Sequence, residues 1–224
     1  MSNSRAVQNK LSTYRYEFLL FALLLLIFDK IFFLESEFYL RFVWPFNMII
    51  ISIACYGITI DHNKILKVLR NIFGLLSILM PFGFMIFQQN TYFLQFLVIF
   101  FSLYYSFIFG EVMYQITLTK VVRINVIIGS FCGFMLLSMI ALFTFLIIEN
   151  YFPNSFHGIS VGDLGKIYTE LSYFSFITLT SIGFGDIYPI TNMSRLTTAF
   201  FGMAGQFYMV AVVGIIISKF TSKN

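Results

Sequence analysis

The run TLTSIGFGDIYP, Thr178 to Pro189, sets hydroxyls, two glycines and a carboxylate within a chain dominated by Phe, Leu and Ile. Moving a monovalent cation through a membrane requires protein oxygens in place of its hydration shell, and stacked backbone carbonyls can supply them. Successive residues must then turn their carbonyls the same way, which alternating glycines allow because they reach positive φ at little cost. Gly183 and Gly185 alternate with Ile182 and Phe184, whose side chains are free to pack outward as a supporting cuff. Ser181 can add its hydroxyl as the innermost ligand. Asp186 falls at the outer mouth, where a carboxylate attracts cations.

Such a run needs elements that hold it at membrane depth, and the composition supplies them. Of the 224 residues 59% are apolar and 11% charged, against about 25% charge in a soluble domain. Six segments approach the roughly 20 apolar residues that cross a bilayer, at 17–34, 42–60, 71–88, 92–113, 124–148 and 194–218. No small-x-small cleavage site follows the first, so it reads as a helix rather than a signal peptide. Basic segments (Arg5, Lys10 and Arg15; Lys64, Lys67 and Arg70; Lys120 and Arg123; Lys219 and Lys223) alternate with non-basic ones. The first connection is acidic on balance (Asp29, Glu35 and Glu37 against Lys30 and Arg41) and the third, QQNT, is uncharged. Six spans with both termini in the cytoplasm follow from the positive-inside rule. The same placement accounts for the net charge of +4 without a nucleic-acid partner.

The fifth connection, 149–193, is too long and too mixed for a plain loop. A polar piece, ENYFPNSFHGISVGDLGK, reads as an outward-facing turret that contains His157 as a solvated residue. IYTELSYFSFITLT is of helix length but too short to span, and the glycines of SIGFGDIYP then stop the helix. The chain dips in from outside and returns to the same side, an arrangement tolerated only where irregular backbone is buried in protein or lines a watery path. The predicted fold is therefore an all-α membrane protein: six transmembrane helices, with a re-entrant pore helix and filter loop between the fifth and sixth. Residues 1–118 make a four-helix domain and 119–224 a pore domain. Pro45 and Pro81 predict kinks, and Gly129 with Gly133 a close helix contact. Cys55 and Cys132 read as small buried hydrophobes.

T-x-T-S-I-G-F-G-D resembles the potassium-channel signature T-x-x-T-x-G-(Y/F)-G-D, and the Ser and Phe variant is similar to filters of the eag-related branch. YFSFITLT fits that family's pore helix and DIYPIT its outer mouth, while GQFY resembles short six-span bacterial members. The match runs from about 120 to 220; earlier residues match in span count alone. The resemblance implies a homotetramer in a bacterial inner (plasma) membrane. Carbonyls of Ser181, Ile182, Gly183 and Phe184, closed by Gly185, and the Ser181 hydroxyl would coordinate dehydrated K⁺, a permeant ion rather than a cofactor. It also implies that Thr178 and Thr180 end the pore helix. Gly205 falls where the family often has a hinge, although glycine also serves packing, and Gln206 is expected to bond a neighbouring helix.

Several departures matter. Ser181 lacks the methyl of a commoner Thr, and Phe184 lacks the hydroxyl of a commoner Tyr. Ile177 stands where some relatives carry Glu, leaving Asp186 to bond the Tyr173 hydroxyl. Residues 91–119 contain no Arg or Lys and one carboxylate, Glu111, so steep voltage gating is not expected. No appended ligand-binding domain is expected either. Two histidines far apart, His62 and His157, exclude a histidine-rich metal centre, and no nucleophile–base pair suggests an enzyme. A secondary transporter would show paired broken helices, where one interruption is seen. The alternatives to a potassium-selective channel are a weakly selective cation channel and a non-conducting accessory subunit.

Overall fold

The computed structural model describes residues 14–33, 38–58, 64–87, 89–119 and 124–221. Arg5, Lys10, Glu35, Glu37, Lys120, Arg123 and Lys223, used above to orient the chain, lie outside these residues, as do His62 and the side chains of Lys64 and Lys219. Seven α-helices follow in order among them: α1 Arg15–Phe28, α2 Trp44–Ile58, α3 Lys64–Phe87, α4 Thr91–Leu118, α5 Ile124–Tyr151, α6 Leu164–Leu179 and α7 Asn192–Thr221. Two two-residue strands, β1 Phe156–His157 and β2 Tyr188–Pro189, pair antiparallel. Four helical segments are long and apolar enough to cross a membrane: Tyr39–Ile58, Leu66–Phe87, Thr91–Leu118 and Ile124–Tyr151. These correspond to the second to fifth expected spans. The first expected span is a helix of 14 residues, about 21 Å at 1.5 Å per residue, that tightens into a 3₁₀ turn at Asp29–Ile31.

Local chemistry sets the boundaries. The Asn90 side chain accepts the N–H groups of Tyr92 (3.0 Å) and Phe93 (3.2 Å) and so starts α4. Pro45 has no N–H to offer the Arg41 carbonyl, and the chain widens there into a π turn, Tyr39–Val43, before α2. Pro81 sits inside α3, which continues through it.

Helix α1 buries Leu19, Ala22, Leu23 and Leu26, an i, i+3, i+4, i+7 stripe, and packs on α2 and α5. Helix α4 lies along α5, which is buried nearly all round. The GxxxG glycines of α5 each admit an aromatic side chain. A Cβ on Gly129 would stand 3.1 Å from the Tyr16 ring, and one on Gly133 2.3 Å from the Tyr208 hydroxyl. Tyr208 of α7 uses that approach to donate to the Ser130 carbonyl at 2.6 Å.

Two buried side chains in this apolar interior, Asp29 and Gln115, are paired several times over. Asp29 is buried and accepts from the Tyr39 hydroxyl (3.2 Å) and from Asn47. Gln115 joins three elements: its carbonyl accepts from Tyr16 Oη at 2.7 Å, and its amide donates to the Ile58 carbonyl (2.8 Å) and to Glu111 (2.6 Å). Replacing Gln115 with Leu leaves a buried hydroxyl and a carbonyl unpaired, at a cost of about 1–3 kcal/mol. The expected outcome is a lower thermal unfolding midpoint for Gln115→Leu in detergent, followed by near-UV circular dichroism, with Thr117→Val on the exposed face nearly neutral.

Candidate functional site

Helix α6 begins at Leu164, three residues before the expected apolar run, because Asp163 caps it. The Asp163 carboxylate accepts the N–H groups of Gly165 (3.0 Å) and Lys166 (3.1 Å). The helix ends at Leu179, with Thr180 as its cap. Thr180 returns both its N–H (3.0 Å) and its hydroxyl (2.7 Å) to the Phe176 carbonyl.

The chain then folds back on the helix end. Ser181 N–H donates to the Thr178 carbonyl at 3.1 Å, and the N–H groups of Ile182 (3.0 Å) and Gly183 (3.2 Å) share the Ile177 carbonyl. Positive φ recurs at every second residue: Ser181 at 58°, Gly183 at 54° and Gly185 at 82°. Ile182 and Phe184 between them do not take it. Alternation of left- and right-handed residues turns successive peptide planes alike, whereas a strand would reverse each one. The glycines were legible as sites of positive φ; Ser181 was not. A β-branched Thr at φ 58° would be a conformational outlier, so the serine suits the backbone as well as the ligand set.

All six residues from Ser181 to Asp186 are exposed on the single chain, Ile182 at 56% and Phe184 at 72%. No cuff within one chain covers them. Asp186 stands beside Tyr173: desolvation first, and then the Asp186 carboxylate, push the Tyr173 phenol above its ordinary pKa.

Helix α7 presses its backbone on the end of α6. A Cβ on Gly205 would fall 2.3 Å from the Leu179 carbonyl oxygen and 2.8 Å from its Cα, so this contact accounts for a glycine here without a hinge. One residue on, Gln206 donates from Nε2 to Ser181 Oγ at 2.7 Å. Gln206 does bond a neighbouring element, and that element is the predicted filter itself.

The outer rim is braced by carboxylates that sequence reasoning did not single out. Glu149, at the end of α5, accepts from the backbone N–H groups of Asn154 (2.7 Å), Ser155 (3.0 Å) and Phe156 (3.3 Å). Glu170 accepts from Ser160 N–H and hydroxyl, both at 2.6 Å. The Ser155 carbonyl then receives Ile190 N–H and the Ser194 hydroxyl, each at 2.8 Å. His157, expected in solvent, is exposed but stacks on Tyr188 with ring centroids 4.6 Å apart. Beneath the rim, Phe145 of α5 meets Phe156, Phe174 and Phe201 at 5.2–5.5 Å, tying the turret, α6 and α7 to one ring.

Residues 134–222 match the family described as ion channel. The similarity is confined to that segment, somewhat less than half of the chain. The match takes in α5 from Phe134, the capped helix α6, the folded-back run and α7, which are the elements just described. No curated protein and no solved structure matches the chain. The match and the four long apolar helical segments support an integral membrane protein.

Gly205→Ala drives a methyl into backbone that cannot rotate away, a strain of about 1–3 kcal/mol. The expected outcome is a lower unfolding midpoint for Gly205→Ala, while Tyr92→Phe, at an exposed position of α4, leaves it nearly unchanged.

Proposed function

We propose that the chain is a potassium-selective channel, assembled as a homotetramer, that passes K⁺ passively between backbone carbonyls of Ser181, Ile182, Gly183 and Phe184. The alternating positive φ of residues 181, 183 and 185 carries the reading. With the amides of 181–183 spent on the end of α6, the carbonyls have no partner in their own chain from among these hydrogen bonds. Lipid cannot serve bare carbonyls. Dehydrated cations can, once further copies enclose them. Four copies would cover Ile182 and Phe184, and with them the apolar face of α7 at Phe200, Met203 and Phe207.

In this reading α6 is re-entrant, α1 and α7 complete six spans, and both termini face the cytoplasm of a bacterial inner membrane. Residues 1–118 form a four-helix domain and 119–224 the pore domain. Gly185 closes the filter, Thr178 and Thr180 end its supporting helix, and Asp186 with Tyr173 lines the mouth. The one charged residue of α4, Glu111, bonds Gln115 near the end of its helix, so gating is not strongly voltage-dependent.

Purified protein in liposomes with a K⁺ gradient is expected to give barium-sensitive flux. Gly183→Ala, which sets a Cβ at φ 54° for about 1–2 kcal/mol, is expected to abolish it with tetramers intact. Tetramers of the unaltered chain without flux would instead identify an accessory subunit. Phe184→Tyr, which restores a hydroxyl to the cuff, is expected to slow inactivation or reduce Na⁺ permeation, and no change in either would count against a loosely held filter.

The Gln206–Ser181 bond favours a second reading, a weakly selective cation channel, because the innermost hydroxyl is shared between the ion and an amide. Removing the amide frees that oxygen. Gln206→Leu is therefore expected to raise K⁺ over Na⁺ selectivity, read as a shift in reversal potential under mixed-ion gradients.

A further inference from the structure

Between the first helices and the outer end of the pore domain lies a cavity of about 370 Å³. That is within the roughly 300–1,000 Å³ range of small-molecule sites. Leu40, Trp44, Leu97, Val98, Phe143 and Leu146 give it apolar walls, and the turret residues Asn154 and Ser160 stand at its rim. All four of the helical segments apolar enough to cross a membrane contribute to its lining, so its walls stand at membrane depth.

One group in this lining is unsatisfied. Trp44 is 4% exposed, and its indole Nε1 has no hydrogen-bond partner. Tyr168 stands beside it edge-on, with ring centroids 6.5 Å apart, but the two do not meet in hydrogen-bond geometry. A buried Trp N–H ordinarily has an acceptor. Two other polar groups of the lining are already engaged: Glu149 by three backbone amides, and Ser160 by Glu170. Among the described residues no Lys or Arg lines the cavity, so no cationic side chain there captures a phosphate. The occupant that fits is long, apolar and uncharged, with a hydrogen-bond acceptor at one end.

We propose that this cavity holds an acyl chain of a membrane phospholipid, with its ester carbonyl accepting the Trp44 indole N–H. The chain of the lipid fills the space between Leu97, Val98 and Leu146, and its headgroup stays outside at the turret level. Lipid bound there joins the four-helix part to α5 and α6 where Trp44 already touches Phe84, Phe101 and Tyr168. The site requires only that the chain be membrane-embedded; it does not depend on which ion passes.

Trp44 is the sole tryptophan of the chain, so intrinsic fluorescence reports on this cavity. In nanodiscs of phosphatidylcholine brominated along its acyl chains, emission is expected to be quenched relative to discs of the unbrominated lipid. Val98→Phe and, separately, Leu146→Phe fill the cavity and are expected to restore emission, in protein whose elution from size exclusion is unchanged. Equal emission in the two discs overturns the proposal, whether the cavity is empty or filled by a second copy. Quenching that persists in both filled variants also overturns it, since the bromines would then lie at the outer surface. K⁺ flux measured on the same preparation separates failure of the lipid site from failure of the channel reading.

Discussion

Backbone polar groups folded into a protein have to find partners there, and the run from Ser181 to Gly185 meets that constraint on one side. The first three of its amides are held by two carbonyls at the end of α6, those of Ile177 and Thr178. Positive φ at alternate residues is compatible with that anchoring, because it lets the amides turn one way and the carbonyls the other. Much else around α6 and α7 can be read as support for this half-satisfied segment. Asp163 starts the supporting helix, Thr180 stops it, Gly205 lets α7 approach its end, and Gln206 reaches Ser181.

The outer rim is stiffened by a different device. Glu149 and Glu170 sit within a membrane protein as carboxylates, yet both are occupied by short bonds to turret backbone or hydroxyls. The two-strand pair Phe156–His157 with Tyr188–Pro189 and the His157–Tyr188 stack then couple the turret to the residues just past the filter. Gly158 completes the coupling, since a Cβ there would fall 2.2 Å from the Asp186 carbonyl oxygen. The first helices are joined to the same structure through Lys30, whose ammonium reaches the Gly165 carbonyl at 3.3 Å, and through the Trp44 contacts. A movement of the first helices thus bears on the start of α6, although α4 carries no basic residue to sense voltage.

Most of the element plan was legible because lipid imposes it. Runs of about 20 apolar residues have few other uses, and the second to fifth came out as helices close to the expected bounds. Where bounds moved, a side chain moved them: Asp163 began α6 earlier, and Pro45 forced a π turn ahead of α2. The GxxxG of α5 predicted close contact but not that Tyr16 and Tyr208, on two different helices, would be the residues admitted. Gly183 and Gly185 announced their conformation by type. Ser181 did not, since nothing in a serine foretells φ 58°, and Glu149 and Glu170 stood out only once the groups they hold were in view.

The sequence by itself determined that the chain is a membrane protein with one interrupted, glycine-alternating segment, because composition and spacing already restrict where polar backbone can go. The tertiary structure decided how that segment is held: which carbonyls receive its amides, why Gly205 must be small, and that Gln206 bonds the Ser181 hydroxyl. The contacts of Gly205 and Gln206 reach far along the chain, and the amide bonds accompany the positive φ of Ser181 and Gly183. A pattern of residue types records propensity along the chain, whereas such contacts exist only after helices have packed.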